Sequence, residues 1–402
     1  MYLQKNNIIN NPKFLLLIFG IIILLGNLGV YLFFAPINVD EFWHINQINR
    51  YLNDDFSHEP MLTNIPGLHF IIFSISKLFN ISTNAFFRLI SGFVGTIGFI
   101  SAIKLLQHFK VKNLGFQSLQ LIFLPWLFSF IFLIYIEWFG VAFLVSGMYF
   151  TLKKKTWISC LFFLILLLGK QHFIPWVFMA SIYFWINNVL GKSIKHYIKL
   201  LPYAILGGLF LVFIKWNGGI SMEAKAMHSL SIEHENILTT LLLLGILYLP
   251  LLTLEKIKTI FNNKQKSWTF GILTILVTIG VIYFNPTHYF NTPKISCLHN
   301  SVINYMQLFL IFKAVCLLLM IVGIIHILTI PLREKSLYLL YPISILTLIP
   351  VVLVEFRYSI PFLILFNLFR VSENKSSERN LLIWFMFQAL TIYILFALGY
   401  AP

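Results

Sequence analysis

Long apolar runs and short polar connections alternate along almost the whole of this chain. About 20 apolar residues in a helix cross a bilayer, and the runs predict spans near residues 14–34, 84–106, 117–135, 138–152, 156–169, 172–188 and 200–215. Further runs fall at 237–254, 268–284, 302–330, 337–353, 358–370 and 381–399, and the stretch 66–80 reads as either one more span or a re-entrant piece. Alternating apolar-polar strands of an outer-membrane barrel are absent. Backbone in lipid must satisfy its own hydrogen bonds, so the expected class is an all-α polytopic membrane protein with about 13 spans.

The polar connections carry the second signal. Lys and Arg collect at the N-terminus (Lys5, Lys13), at Lys110 and Lys112, at 153–155, and at Lys192, Lys195 and Lys199. They recur at 256–266, at Arg333 with Lys335, and at 370–379. Basic loops face the cytoplasm, which puts the loops 35–65, 136–138, 216–236, 285–301 and 354–358 on the opposite side. Asp40, Glu41, Glu137, Glu223 and Glu355 then share one face of the membrane, where ionisable groups tend to line cavities and pathways.

Composition agrees with this reading. The 402 residues are 59% hydrophobic and 11% charged, against roughly 25% charged in a soluble domain. The formal charge of +15 fits basic cytoplasmic loops rather than a nucleic-acid partner. Cys160, Cys297 and Cys316 form no metal-ligand spacing. The run 14–34 is too long for a signal-peptide core and has no small-residue cleavage site, so it reads as a signal-anchor.

The stretch "NVDEFWHINQINRY" (38–51) follows the first apolar run. Phe42, Ile45, Ile48 and Leu52 recur at helical spacing, which suggests an amphipathic helix lying in the interface. Asp40, His44, Gln47 and Tyr51 occupy the other face. A carboxylate in the first turn is favoured by the helix dipole and can serve as a general base. Pro60, Pro66 and Gly67 break the pattern, so the chain turns back towards the membrane there.

The residues also carry a resemblance. "VDEFWHINQINRYLND" followed by "EPMLTNIPGLH" resembles the first lumenal loop of the GT-C glycosyltransferases, and most closely that of the alpha-1,2-glucosyltransferases that add the terminal glucose to the dolichol-linked N-glycan precursor. Four further stretches resemble that family in order: "FLIYIEWFGVAFLV", "GKQHFIPW", "WNGGISMEAKAMHS" and "VEFRYSIPF". Two departures stand out: Ala224 occupies the position of an acidic residue, and the loop 285–300 lacks most of the family pattern.

The resemblance implies a GT-C bundle with interfacial helices in the first lumenal loop, forming one integral domain over 1–402. Residues 1–215 would be the catalytic module and 216–402 a variable membrane module. It implies transfer of a hexose from a polyprenyl- or dolichyl-phosphate sugar to a lipid-linked glycan, with membrane lipids as surroundings. Asp40 takes the position of the base and Glu41 a supporting one. His44, Gln47, Glu137, Gln171, Lys225, His228, Arg357 and Tyr358 are the substrate-binding candidates. An anionic leaving group needs positive charge, and Arg suits bidentate phosphate contact.

Lys170, His172 and Trp138 read as interfacial anchors. No phosphate-binding glycine loop is present, and neither a cofactor nor a metal is expected. The compartment would be the endoplasmic reticulum in a eukaryote and the plasma membrane in a bacterium. A transporter is the reading from another class, although no internal repeat supports it; another GT-C enzyme acting on a different glycan is the nearer alternative.

Overall fold

The computed structural model describes residues 37, 39–125, 127–130, 133–222, 233–286, 288, 291 and 301–397. The expected first span at 14–34, together with Glu223, Lys225 and His228, lies outside the described residues. The described chain is helical, and its one β-bridge joins Leu332 to Arg370. Among the described residues, four segments are long and apolar enough to cross a membrane: Asn84–His108, Ile194–Asn217, Lys264–Ile282 and Leu310–Thr329.

The opening helices are α1 (Val39–Leu52), α2 (Gly67–Phe79), α3 (Asn84–His108), α4 (Leu114–Ile122) and α5 (Leu127–Phe130). Then follow α6 (Ile136–Leu152), α7 (Thr156–Gly169), α8 (Ile174–Asn188), α9 (Ile194–Tyr197) and α10 (Leu201–Asn217). Beyond the undescribed loop come α11 (Glu235–Leu247), α12 (Leu254–Phe261), α13 (Lys264–Ile282), α14 (Ser301–Leu308) and α15 (Leu310–Thr329). The chain ends with α16 (Leu340–Leu348), α17 (Ile360–Phe369) and α18 (Lys375–Ala397). Proline near the start of α8, α10 and α17 fixes φ where no amide donor is needed.

The spans expected at 117–135 and 302–330 are each broken, by the gap between α4 and α5 and at Phe309. The stretch 66–80 holds one helix of 13 residues, Gly67–Phe79, whose far end returns to the first loop. Lys77 near its end pairs with Asp54 of the first loop at 3.1 Å, and α3 then starts beside Glu41.

Small residues set the tightest helix crossings, as lipid-embedded packing favours. A Cβ on Gly98 of α3 would meet the Cα of Ala142 on α6 at 2.4 Å. On α11 and α15, a Cβ on Gly245 would lie 1.9 Å from Leu319 O, and one on Gly323 would lie 2.3 Å from Leu241 O. Two apolar clusters result. The larger spans most of the bundle, and the smaller joins α11, α13, α14 and α15 and includes Val354.

The connections expected to be basic converge at one end. Arg370 and Glu378 form a fully buried pair at 2.7 Å, and Gln120 bonds to both. Arg333 donates to Gln117 at 3.0 Å, and Lys256 pairs with Glu373 at 2.7 Å. The acidic loops converge at the other end.

Candidate active site

Asp40 and Glu41 stand in the first turn of α1 and Glu137 in the first turn of α6, where the helix dipole favours carboxylates. Arg357 lies in the turn Phe356–Ser359 that leads into α17. The fold brings these distant positions together: the Arg357 guanidinium bonds to both Asp40 and Glu355, and its Nε lies 3.9 Å from Glu137 Oε1. Lys170 Nζ, directly after α7, closes the group with a 2.7 Å bond to the same Glu137 oxygen. Glu137 Oε2 is buried with no hydrogen-bond partner.

Among these groups Asp40 and Arg357 are the accessible pair, with side chains 30% and 20% exposed. Burial would raise the Asp40 carboxyl, but the Arg357 charge and hydrogen bond outweigh it and hold Asp40 below the usual carboxylate range. Burial pushes the Glu355 carboxyl up to about 7 against the pull of Arg357, and the Asp40 charge adds to the rise. The group holds three carboxylates and two cations, so Glu355 is the carboxyl that carries a proton near neutrality.

His44 is buried, which lowers its imidazole to about 4 despite the nearby Asp40 charge. Its Nδ1 lies 2.8 Å from His69 Nε2 on α2, and its ring packs edge-on against Tyr135 with centroids 6.0 Å apart. A neutral histidine here can accept or donate one hydrogen bond but brings no charge.

The remaining expected residues fall into distinct places. Glu41 faces away from the Asp40 group. It makes a fully buried bidentate pair with Arg88 of α3 at 2.8 and 2.5 Å and accepts from Ile134 N at 3.2 Å. Gln47 ties α1 to its following loop, donating to Ser57 O at 3.0 Å and accepting from Glu59 N at 2.6 Å. Gln171 joins three loops: it accepts from Ile65 N at 3.0 Å and donates to Thr63 O at 2.7 Å and Ile220 O at 2.9 Å. Both amides are spent on backbone.

Three expectations are corrected. Lys170 is not an interfacial anchor but a buried member of the charged group, because Glu137 compensates its ammonium. Trp138 does not belong to a lipid-facing belt; it fills the space left by Gly95 on α3. Helix α1 does not bury only its apolar side. Glu41, His44, Gln47 and Tyr51 are buried with Ile45 and Ile48, while Phe42 is exposed; Glu41, His44 and Gln47 each find a hydrogen-bonding partner inside, and the Tyr51 ring packs against Phe56, Phe70 and Phe73.

A cavity of about 250 Å³ opens beside the charged group, lined by Thr63, Lys170, Ile174, Ile220, Val351 and Tyr358 among others. Lys170 Nζ lies 5.9 Å from the centre of the Tyr358 ring. One wall is apolar and one corner is cationic. Among the described residues no group of three His, Cys, Asp or Glu side chains is arranged to hold a metal, and two protein cations stand between the carboxylates instead.

This is the site of a polytopic helical membrane protein that gathers carboxylates, cations and a partly apolar cavity at one end of its bundle. The chain belongs to the DIE2/ALG10 family, whose profile matches residues 35–197 and 179–368. It is 26% identical over 286 residues to a Candida glabrata protein named Dol-P-Glc:Glc(2)Man(9)GlcNAc(2)-PP-Dol alpha-1,2-glucosyltransferase, covering 63% of this chain and 54% of that one. A relative of the same name from Arabidopsis thaliana is 25% identical over 236 residues, covering 55% and 46%. The chain thus spans about half the length of these curated relatives. No solved structure matches it.

Glu355 and Lys170 are the site members that the sequence reading did not place among the site candidates, although Glu355 shares one face with Asp40 there and Lys170 reads as an anchor. Both lie inside stretches that resemble the family, "VEFRYSIPF" and "GKQHFIPW", and that was the available signal.

Proposed function

We propose that this protein is an inverting glycosyltransferase of the GT-C type that moves glucose from dolichyl-phosphate glucose to a lipid-linked oligosaccharide, forming an alpha-1,2 linkage. The observation that carries the reading is Asp40: a partly accessible carboxylate, kept ionised by Arg357, in the same charged group as Lys170, which lines a cavity with an apolar wall. The names of the relatives supply donor and acceptor.

In this reading the acceptor hydroxyl attacks the anomeric carbon and its proton passes to Asp40. The bond from that carbon to the phosphate oxygen breaks, and the electron pair leaves with dolichyl phosphate. The phosphate gains negative charge as it departs, and preorganised cations stabilise that change. Arg357 and Lys170 are suited to it, and Lys225 and His228 belong to the same set by their motif. His44 and Tyr358 would contact the sugar or acceptor.

The two-module reading has residues 1–215 supplying the base and the second module supplying Arg357. The site faces away from the cytoplasm, in the endoplasmic reticulum if the source is eukaryotic, and no metal takes part.

The test is transfer of labelled glucose from dolichyl-phosphate glucose to lipid-linked oligosaccharide by the purified protein. Wild type transfers, with or without chelator, and Asp40→Asn lowers turnover by about 10²–10⁴-fold, the usual worth of a general base. Absence of transfer by wild type, together with solute flux into liposomes, would replace the enzyme with a transporter.

A further inference from the structure

The segment "IPVVLVE" (349–355) runs past the end of α16 into the tail of the span expected at 337–353, where β-branched Val favours extended over helical backbone. No strand stands beside it among the described residues; Val351–Glu355 is irregular and much of it is buried. Buried backbone groups need partners. Two fully buried asparagines provide them.

Asn236, in the first turn of α11, donates to Val351 O at 2.7 Å and Leu353 O at 3.1 Å and accepts from Glu355 N at 3.3 Å. Asn291 donates to Val354 O at 2.9 Å and accepts from Val354 N at 2.9 Å, the pairing a neighbouring strand would make. An asparagine amide carries donor and acceptor side by side as a peptide group does. Gln307 of α14 steadies Asn291 through its carbonyl at 2.9 Å. One turn beyond Asn236 on the same face of α11, Thr240 Oγ1 meets Ser359 Oγ at 2.6 Å. The segment holding Glu355, Arg357 and Tyr358 is therefore gripped on both flanks by one helix, and on the leading flank by Asn291 as well.

We infer that Asn236 and Asn291, assisted by Thr240, are positioning residues of the transfer reaction: they replace a missing strand so that Arg357 is held between Asp40, Glu137 and Glu355. The inference rests on the proposed reaction. It makes the α11 face responsible for where the phosphate-directed cation stands, although neither asparagine touches that cation. Accurate placement of such groups matters because small displacements of a reacting constellation cost large factors in rate.

A double-mutant cycle with Arg357→Ala tests it, reading glucose transfer, melting temperature and donor KM. Asn236→Ala and Asn291→Ala each lower kcat by about tenfold or more in the native background, and by less than about twofold when Arg357 is already Ala, because residues acting through one another are not additive. Asn291→Asp, which keeps the acceptor for Val354 N and loses the donor to Val354 O, and Thr240→Val supply the same cycle should an alanine variant not fold. A residue that is only structural would lower the melting temperature and multiply its loss unchanged in both backgrounds, and that result overturns the inference. Wild type without transfer removes the reaction itself; active wild type with independent losses removes only the positioning role.

Discussion

At residue scale, the proposed reaction turns on Arg357, and Glu355 sets how strongly that guanidinium is held. With the Glu355 carboxyl at about 7, it is mostly neutral below that pH and competes little for the guanidinium. Above that pH it ionises and becomes a second anion on Arg357. The donor phosphate must then displace more charge, so donor KM is expected to rise as pH increases through about 7. In Glu355→Gln that rise should vanish while the Asp40-dependent step remains, and steady-state kinetics across pH checks both. An unchanged KM profile in the variant would free Arg357 from this control.

The adjacent acids divide by the same reasoning. Asp40 is partly open and can act; Glu41 is sealed against Arg88. Removing one partner of a buried ion pair leaves an uncompensated charge, a loss of about 3–5 kcal/mol. Glu41→Ala should therefore lower melting temperature and yield, whereas Asp40→Asn should leave both near wild type while abolishing most turnover. Thermal unfolding in detergent separates the two outcomes. From sequence the pair looked like one functional unit, since only tertiary contacts say that Glu41 meets α3 and Asp40 meets the turn before α17.

At the scale of elements, close helix approach delivers the side chains. Gly245 and Gly323 let α11 and α15 touch backbone to backbone, and α11 in turn grips the segment that holds Arg357. A leucine at Gly245 would place its Cβ against Leu319 O, a backbone atom that cannot swing aside. Gly245→Leu is expected to displace α11 and reduce both stability and turnover. Gly207→Leu on α10, where a Cβ would meet nothing within 4 Å, serves as the silent control. Equal stability of the two variants would deny the crossing its role. The break between α4 and α5 has a local cause that apolar length does not report: Pro125 lies in it and cannot continue the helix.

Across the whole molecule, charge separates the two ends. Acidic loops meet at the Asp40 end, and basic connections meet around Arg370 and Glu378. The positive-inside rule puts the basic end in the cytoplasm. Cysteines introduced at the exposed positions Asn53 and Lys155 should react with an impermeant reagent from opposite sides of sealed vesicles. Labelling from one side would overturn the threading.

Periodicity and composition sufficed for an all-helical membrane protein, for the grouping of acidic loops at one end and for Asp40 at a helix start, because apolar length, loop charge and helix spacing are local properties of a chain. The motifs were enough to indicate the family. Tertiary structure alone decided that Glu41 is an anchor, that Lys170 is buried on Glu137, and that Gln47 and Gln171 spend their amides on backbone. It also decided that a valine-rich segment without a strand partner is completed by Asn236 and Asn291. Those assignments depend on which group a side chain meets at sequence separations from 10 to 119 residues, and the energy of a buried polar atom is set by that partner rather than by its neighbours in sequence.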